Sequence, residues 1–182
     1  MFIGCATVGR HVITDLKSAP QEKGLALFST GAKETNLAFS TGLTLIEGVS
    51  LKKYDKVIMN FDYPFASHFP NEHGHLRSLI LPEGDYYLAP TPGNPAFVMV
   101  EFPVFKFHVK KGEISYLGDL FLSGSRIQLT NDFENRDLNL FLSKNPSLQR
   151  GDIASGKMEI HTQFVSNKPN SFYIKGIIWD LP

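Results

Sequence analysis

Cysteine is almost absent from this chain, since Cys5 is the only one among 182 residues. One cysteine excludes an intrachain disulfide, so a folded domain must be held together by its apolar core. A chain of this length buries about 70% of the surface that it exposes when unfolded. Neither a disulfide nor a structural metal is therefore required for stability.

The chain also lacks an excess of charge of either sign. Lysine and arginine total 18, aspartate and glutamate total 18, and the formal net charge is zero. A broad nucleic-acid interface needs a basic excess to displace counterions, so we expect no nucleic-acid partner. No apolar run in the sequence approaches the roughly 20 residues that a membrane-spanning helix requires.

Phenylalanine, by contrast, is abundant, with 15 residues, and indicates an aromatic core. From Gly24 onward, short segments rich in β-branched, leucine and aromatic residues alternate with clusters of Gly, Pro, Asn or Asp. This spacing predicts a mainly β fold, an antiparallel β-sandwich that forms one domain over residues 24–182. Residues 1–23 have weak periodicity and mixed charge, which is typical of a tether or of a frayed terminus.

The clearest local pattern is a predicted hairpin over residues 105–117. Apolar residues at 105, 107 and 109 alternate with polar ones, and Gly112 in "KKGE" can take the positive φ of a turn. The return strand "ISYLGDLFL" contains Gly118, which indicates a β-bulge or a close approach of another backbone. We expect one inward face composed of Phe105, Phe107, Val109, Ile114 and Tyr116.

One helix is predicted near residues 135–145. Leu138, Phe141 and Leu142 follow the i, i+3, i+4 spacing of a one-sided apolar stripe, and Pro146 ends it. Three acids lie at its start: Asp132, Glu134 and Asp137. They lack the full spacing of a calcium-binding EF-hand loop, so we expect them to cap the helix instead.

Two segments resemble known β domains. "LPEGDYYLAP" is similar to the L-P-x-G-x-Y-x-L segment of prealbumin-like β-sandwich domains, such as carboxypeptidase-regulatory modules. "FKFHVKKGEISYLGDLFL" resembles a segment of small bacterial lipoproteins of unknown function that carry such a domain. Together the segments cover residues 79–122. The resemblance implies a prealbumin-like sandwich in a bacterial cell envelope, with no known chemistry and no cofactor.

The start of the chain resembles a bacterial lipobox. In "FIGC" a small residue precedes Cys5, as it precedes the cysteine that receives a lipid, although Phe2 and Ile3 depart from the usual Leu and small residue. Two alternatives are a small buried hydrophobe in an N-terminal strand and a reactive thiol. The lipobox interpretation predicts a membrane anchor on Cys5. Because Ala6 rather than aspartate follows, it also predicts the periplasmic face of the outer membrane.

A histidine cluster is the candidate metal site. "HFPNEHGH" contains His68, His73 and His75, and His-x-His on a strand points both rings to one face, as zinc or copper sites require. Glu83 or Asp62 could add an oxygen ligand. The stretch also contains proline and glycine, so the opposing interpretation is an exposed loop of solvated rings, with strand pattern only from "LRSLIL".

Two functions from different classes follow from these observations. The first is a non-enzymatic cell-envelope lipoprotein whose sandwich is a structural module or binds a protein, peptide or glycan. For a glycan, an exposed Trp179 beside Tyr86 or Tyr87 would stack on a sugar. The second is a metal-binding protein or metalloenzyme that uses the histidine cluster. No nucleophile motif occurs, so no catalytic residue is predicted.

Overall fold

A computed structural model describes residues 22–32, 41–48, 53–60, 67–69, 73–92, 101–123 and 126–164. Within them the chain forms ten strands and one α-helix. Cys5 and Trp179 lie outside these residues, and the predicted tether over residues 1–23 stays a prediction. The elements are β1 (Gly24–Ala32), β2 (Thr41–Glu47), β3 (Lys53–Asn60), β4 (His73–Leu81), β5 (Gly84–Pro92), β6 (Glu101–Val109), β7 (Ile114–Ser123), β8 (Arg126–Thr130), α1 (Glu134–Lys144), β9 (Ile153–Ser155) and β10 (Met158–Phe164).

The strands form two sheets, which confirms the prediction of a mainly β fold. One sheet has the order β4-β1-β7-β8, with β9 also pairing with β7, and the other has the order β10-β6-β5-β2-β3. The first sheet is mixed rather than purely antiparallel, because β1 and β9 both pair with β7 in parallel. The chain passes from the other sheet into β7 beside the start of β1, where Leu25 pairs with Ile114. The two strands therefore begin at the same end of the sheet and run in the same direction.

The central strand β1 faces two apolar cores, and all nine of its residues are buried. Ala26 and Phe28 point into the core between the two sheets, together with aromatic residues of β5 and β6. Leu25 and Leu27 point to the opposite side, where they pack with α1. The described residues therefore form three layers: the helix, the mixed sheet and the antiparallel sheet.

The predicted hairpin over residues 105–117 is wrong. β6 belongs to the antiparallel sheet and β7 to the mixed sheet, so residues 110–113 form a crossover between sheets. The alternation within β6 is confirmed, since Phe105, Phe107 and Val109 lie in the core between the sheets and His108 is exposed. Ile114 and Tyr116, however, pack against α1. Alternation determines the two faces of a strand but does not identify its neighbour.

Gly118 forms the predicted bulge. Leu27 faces Tyr116 while Ser29 faces Asp119, so β7 contains one more residue than β1 over this stretch. The φ of Gly118 is +106°. An added Cβ would lie 2.9 Å from the carbonyl oxygen of Thr130, closer than real Cβ contacts allow. Glycine is therefore required here both by the backbone conformation and by the neighbouring strand.

The helix is confirmed, with α1 spanning Glu134–Lys144 and burying Leu138 and Phe141. The capping prediction is wrong, because Phe133 is the N-cap and no side chain makes a cap hydrogen bond. Glu134 instead pairs with Arg150 at 2.9 Å. Among the described residues no helix is long and apolar enough to cross a membrane.

Two glycines with positive φ provide a matched test of the bulge. Gly118→Ala should reduce the free energy of unfolding by about 3 kcal/mol, since it combines backbone strain with a steric clash. Gly112→Ala should cost only about 1 kcal/mol, because Gly112 has φ +74° but no neighbour within 4 Å of an added Cβ. Urea unfolding of both variants checks this, and equal losses would contradict the bulge geometry.

Candidate functional site

The densest group of polar side chains lies between the mixed sheet and α1. Ser29 comes from β1, Tyr116 and Asp119 come from β7, and Asp137 comes from α1. Ser29, Asp119 and Asp137 are fully buried, and Tyr116 is 3% exposed. In a regular strand, residues 116 and 119 would point to opposite faces. The extra residue at Gly118 places both on the helix side, so the bulge assembles this buried cluster.

Short contacts connect the three elements of the buried cluster. The Oγ of Ser29 lies 2.6 Å from Oδ1 of Asp119 and 2.5 Å from Oδ2 of Asp137. The hydroxyl of Tyr116 donates to the same Oδ2 of Asp137 at 2.7 Å. On the helix itself, Nε of Arg136 donates to the other oxygen of Asp137 at 2.9 Å. The cluster therefore ties α1 to both central strands of the mixed sheet.

Burial dominates the electrostatics of the cluster. It raises the pKa of Asp137, while the hydrogen bonds from Ser29, Tyr116 and Arg136 act in the opposite direction. Burial, followed by the nearby Asp137 carboxylate, raises the pKa of Tyr116 well above its usual value. Tyr116 is therefore a permanent hydrogen-bond donor. Sequence patterns did not identify this cluster, although Asp137 lies four residues before Phe141 and so shares the buried helix face.

The structure brings together two of the three predicted metal ligands. The rings of His68 and His75 meet edge to face, with 5.1 Å between their centroids, and His75 is 2% exposed. His73 is the first residue of β4, so the expectation of a loop up to residue 75 is wrong. In the described part of the chain no group of three or more His, Cys, Asp or Glu could hold a metal ion. The side chain of His73 lies outside the description, and the three-histidine site stays a prediction.

His68 has a fixed protonation pattern. Its Nδ1 accepts a hydrogen bond from the backbone N–H of Leu76 at 3.1 Å, so that nitrogen carries no proton. Burial lowers the pKa of His68, and the positive charges of Arg77 and Lys144 lower it further. The imidazole is therefore neutral at physiological pH, with its proton on Nε2.

Arg77 is a buried cation that no sequence pattern indicated. Its side chain is 2% exposed on β4, and Nε donates to Oγ1 of Thr30 at 3.1 Å. Burial lowers the pKa of Arg77 to about 9, which still leaves the guanidinium charged at neutral pH. Arg77 therefore accounts for part of the positive potential felt by His68.

An open groove of about 360 Å³ lies where the two sheets are connected. The end of β6 and the start of β10 form one wall, and the start of β7 and the end of β9 form the other. The volume is within the range of ligand sites, but the walls are charged rather than apolar. Charged and ionisable lining residues are Asp85, Lys106, His108, Lys110, Glu113, Lys157 and Glu159.

Polar contacts connect several of the charged side chains that line the groove. Oδ1 of Asp85 lies 2.7 Å from Nδ1 of His108, and its Oδ2 lies 3.5 Å from Nζ of Lys106. The hydrogen bond with His108 is the main cause that lowers the pKa of Asp85. On the crossover, Glu113 accepts a hydrogen bond from Ser115 at 2.7 Å. The groove therefore presents ordered charges of both signs to solvent.

Neither of the two tyrosines that were expected beside a sugar-stacking Trp179 has an exposed ring. Tyr86 is 1% exposed and Tyr87 is 4% exposed. The Tyr86 hydroxyl donates to the carbonyl oxygen of Pro82 at 3.0 Å, and its ring stacks on Phe107. Both tyrosines therefore serve the fold rather than a surface for stacking.

Comparison with known proteins does not assign the chain to a family. No family model, no curated protein and no solved structure matches it. The function proposed below therefore rests on the geometry of the groove, the histidine pair and the buried cluster.

His68 should give the protein a specific sensitivity to acid. Its pKa is lowered in the folded state, so the unfolded chain binds the proton first as the pH falls. The stability that neutral His68 contributes is complete above about pH 6.5 and declines below it. An NMR titration should place the pKa of His68 below 6.5, and urea unfolding of His68→Gln should show a weaker loss of stability in acid. A pKa of His68 at or above 6.5 would contradict the burial of this ring near the positive charges of Arg77 and Lys144.

Proposed function

We propose that this chain is a non-enzymatic binding module of a bacterial cell envelope, anchored by a lipid on Cys5. Its binding site would be the groove between the sheets, and its ligand a segment of a partner protein that carries both positive and negative charges. The observation that carries the proposal is the ordered set of charged side chains around a concave surface of about 360 Å³.

The chemistry of the walls favours a charged peptide over a small apolar ligand or a glycan. Pockets for small molecules are lined mainly by apolar and aromatic groups. Among the described residues that line the groove, the only phenyl ring belongs to Phe107, which is 2% exposed and part of the core. Complementary charges give partner specificity and fix the register of a bound segment.

The arrangement of reactive groups supports a non-enzymatic role. The hydroxyl and carboxyl groups of the buried cluster contact one another and are closed off from solvent beneath α1. A general acid, base or nucleophile must instead reach its substrate. In the groove, the Asp85 carboxylate is occupied by His108 and Lys106, an arrangement suited to holding charge in place.

The proposal includes a prealbumin-like type for the two-sheet fold. The segments that resemble such domains span residues 79–122, and these residues contribute strands to both sheets. They also contain Gly118 and the crossover at residues 110–113. The resemblance therefore falls on the part of the chain that connects the two layers, which supports the assignment.

The edge-to-face contact of His68 and His75 favours metal binding as a second candidate function. Because Nδ1 of His68 accepts the Leu76 N–H, only Nε2 of that ring remains for a metal. A stoichiometric zinc or copper content in purified protein would favour this second function over the first.

The lipid anchor can be tested in the native host. Cells labelled with a radioactive or clickable fatty acid should incorporate label into the wild-type protein and none into Cys5→Ser. Globomycin should cause an unprocessed precursor to accumulate. A protein that takes up no label and fractionates with the cytosol would overturn the envelope assignment.

The groove can be tested with a photo-crosslinking amino acid placed at Lys157 or at Lys111. Both side chains are exposed, but Lys157 lines the groove, whereas Lys111 lies outside it and pairs with Glu22 at 2.7 Å. We expect a discrete adduct from position 157 and none from position 111. Lys106→Gln should lower the adduct yield severalfold, because it removes one of the positive charges on the wall. Equal yields from both positions would contradict the groove as the binding site.

A further inference from the structure

The buried cluster contains more short contacts than its hydroxyl protons can serve. Three oxygen pairs lie within 2.7 Å: Ser29 with Asp119, Ser29 with Asp137, and Tyr116 with Asp137. Each hydroxyl supplies one proton, so the two hydroxyls supply two. The third contact becomes a hydrogen bond only if one carboxyl keeps a proton of its own. Asp119 and Asp137 thus share one proton through Ser29.

The charges around the cluster favour the same state. Arg136 provides one positive charge, with its guanidinium 2.9 Å from Asp137. It is fixed in place between the rings of Phe69 and Phe133, at 3.7 and 4.2 Å from their centroids. Asp119 and Asp137 are also close to each other, because both contact the same Oγ of Ser29, at 2.6 and 2.5 Å. Two ionised carboxylates that share one buried site repel each other, and this repulsion favours the state in which the pair keeps one proton.

We propose that this cluster is a proton-dependent latch: α1 stays closed on the mixed sheet while Asp119 and Asp137 together hold one proton, and loss of that proton loosens the helix. The latch joins all the elements that meet there, with Ser29 from β1, Tyr116 and Asp119 from β7, and Arg136 and Asp137 from α1.

The direction of the pH effect follows from Asp137. Burial raises its pKa in the folded protein above the unfolded value, so the folded state keeps the proton longer. The stability that the proton contributes is complete below about pH 4 and is lost as the pH rises through the pKa of the folded pair. Carboxylates in exposed salt bridges have lowered pKa values, so the stability that they contribute is lost as the pH falls.

Other charged or titratable groups near the helix are Lys144, His68 and the ion pair of Glu134 with Arg150. Lys144 lies at the end of α1, and its charge contributes to the lowered pKa of His68. His68 destabilises the folded state as the pH falls, whereas the latch does so as the pH rises. The sign of the effect therefore distinguishes the two.

Opening of the latch would uncover an apolar surface. Leu138 and Phe141 of α1 pack against Leu25 and Leu27 of β1 in a core separate from the one between the sheets. Loss of the helix would leave the core between the sheets in place. Amide hydrogen exchange in residues 134–144 should therefore respond to pH before the strands of the antiparallel sheet do.

The test compares Asp119→Asn with the wild type by urea unfolding and amide exchange from pH 4 to pH 9. The amide of Asp119→Asn supplies the third proton permanently, because its N–H can donate to Ser29. Across the titration range of the pair, the folding constant of the wild type should fall by up to about tenfold per pH unit relative to this variant. Asp132→Asn, an exposed acid in the turn before α1, should behave as the wild type does.

Equal pH profiles for the wild type and Asp119→Asn would overturn the latch. If Asp119→Asn does not fold, the carbon-13 resonances of the wild-type carboxyls decide instead. At least one carboxyl of the pair should titrate clearly above the ordinary aspartate value of about 3.9. Two carboxyls that both titrate at or below that value would also overturn the proposal.

Discussion

The extra residue that Gly118 introduces into β7 is the constraint on which the described architecture depends. It changes the alternation of the strand, so that Tyr116 and Asp119 both face α1 while Leu117 and Leu120 face the core between the sheets. Without it, Asp119 would point into that apolar core at a cost of several kcal/mol. On the edge of β7 opposite β1, β9 pairs with the residues before the bulge and β8 pairs with the residues after it.

Among the described residues, those on which stability depends and those that form the proposed binding site lie in two different places. Stability depends on β1 and β7, which carry both apolar cores and, with α1, the buried cluster. The groove instead forms where the chain crosses between sheets, at residues 110–113 and again near Gly156. An added Cβ at Gly156 would lie 2.6 Å from Cδ2 of Leu117, so a larger residue at this second crossover would require the Leu117 side chain to move. Substitutions of the charged side chains of the groove can therefore test the proposed binding without removing a side chain from either core.

Local patterns predicted the elements of this fold better than their partners. The helix, the bulge at Gly118 and the two faces of β6 follow from spacing and from glycine stereochemistry, which act within a few residues. The pairing of β6 and β7 depends instead on which core buries each strand, and the strand itself carries no signal for that choice. Asp137 was interpreted as a capping residue because an acid in the first turn suits the helix dipole as well as it suits a buried network. The start of β4 at His73 was missed because its pairing partner, Ala32, is distant in sequence.

Ser29 and Asp137 join the helix to the sheet through a direct contact between their side chains. A double-mutant cycle with Ser29→Ala and Asp137→Asn, followed by urea unfolding at pH 5, measures the energy of this contact. We expect a coupling free energy of about 1–3 kcal/mol, because the two groups share one buried network. Losses that add to within about 0.5 kcal/mol would show that the two residues act independently and that the contact does not hold the helix to the sheet.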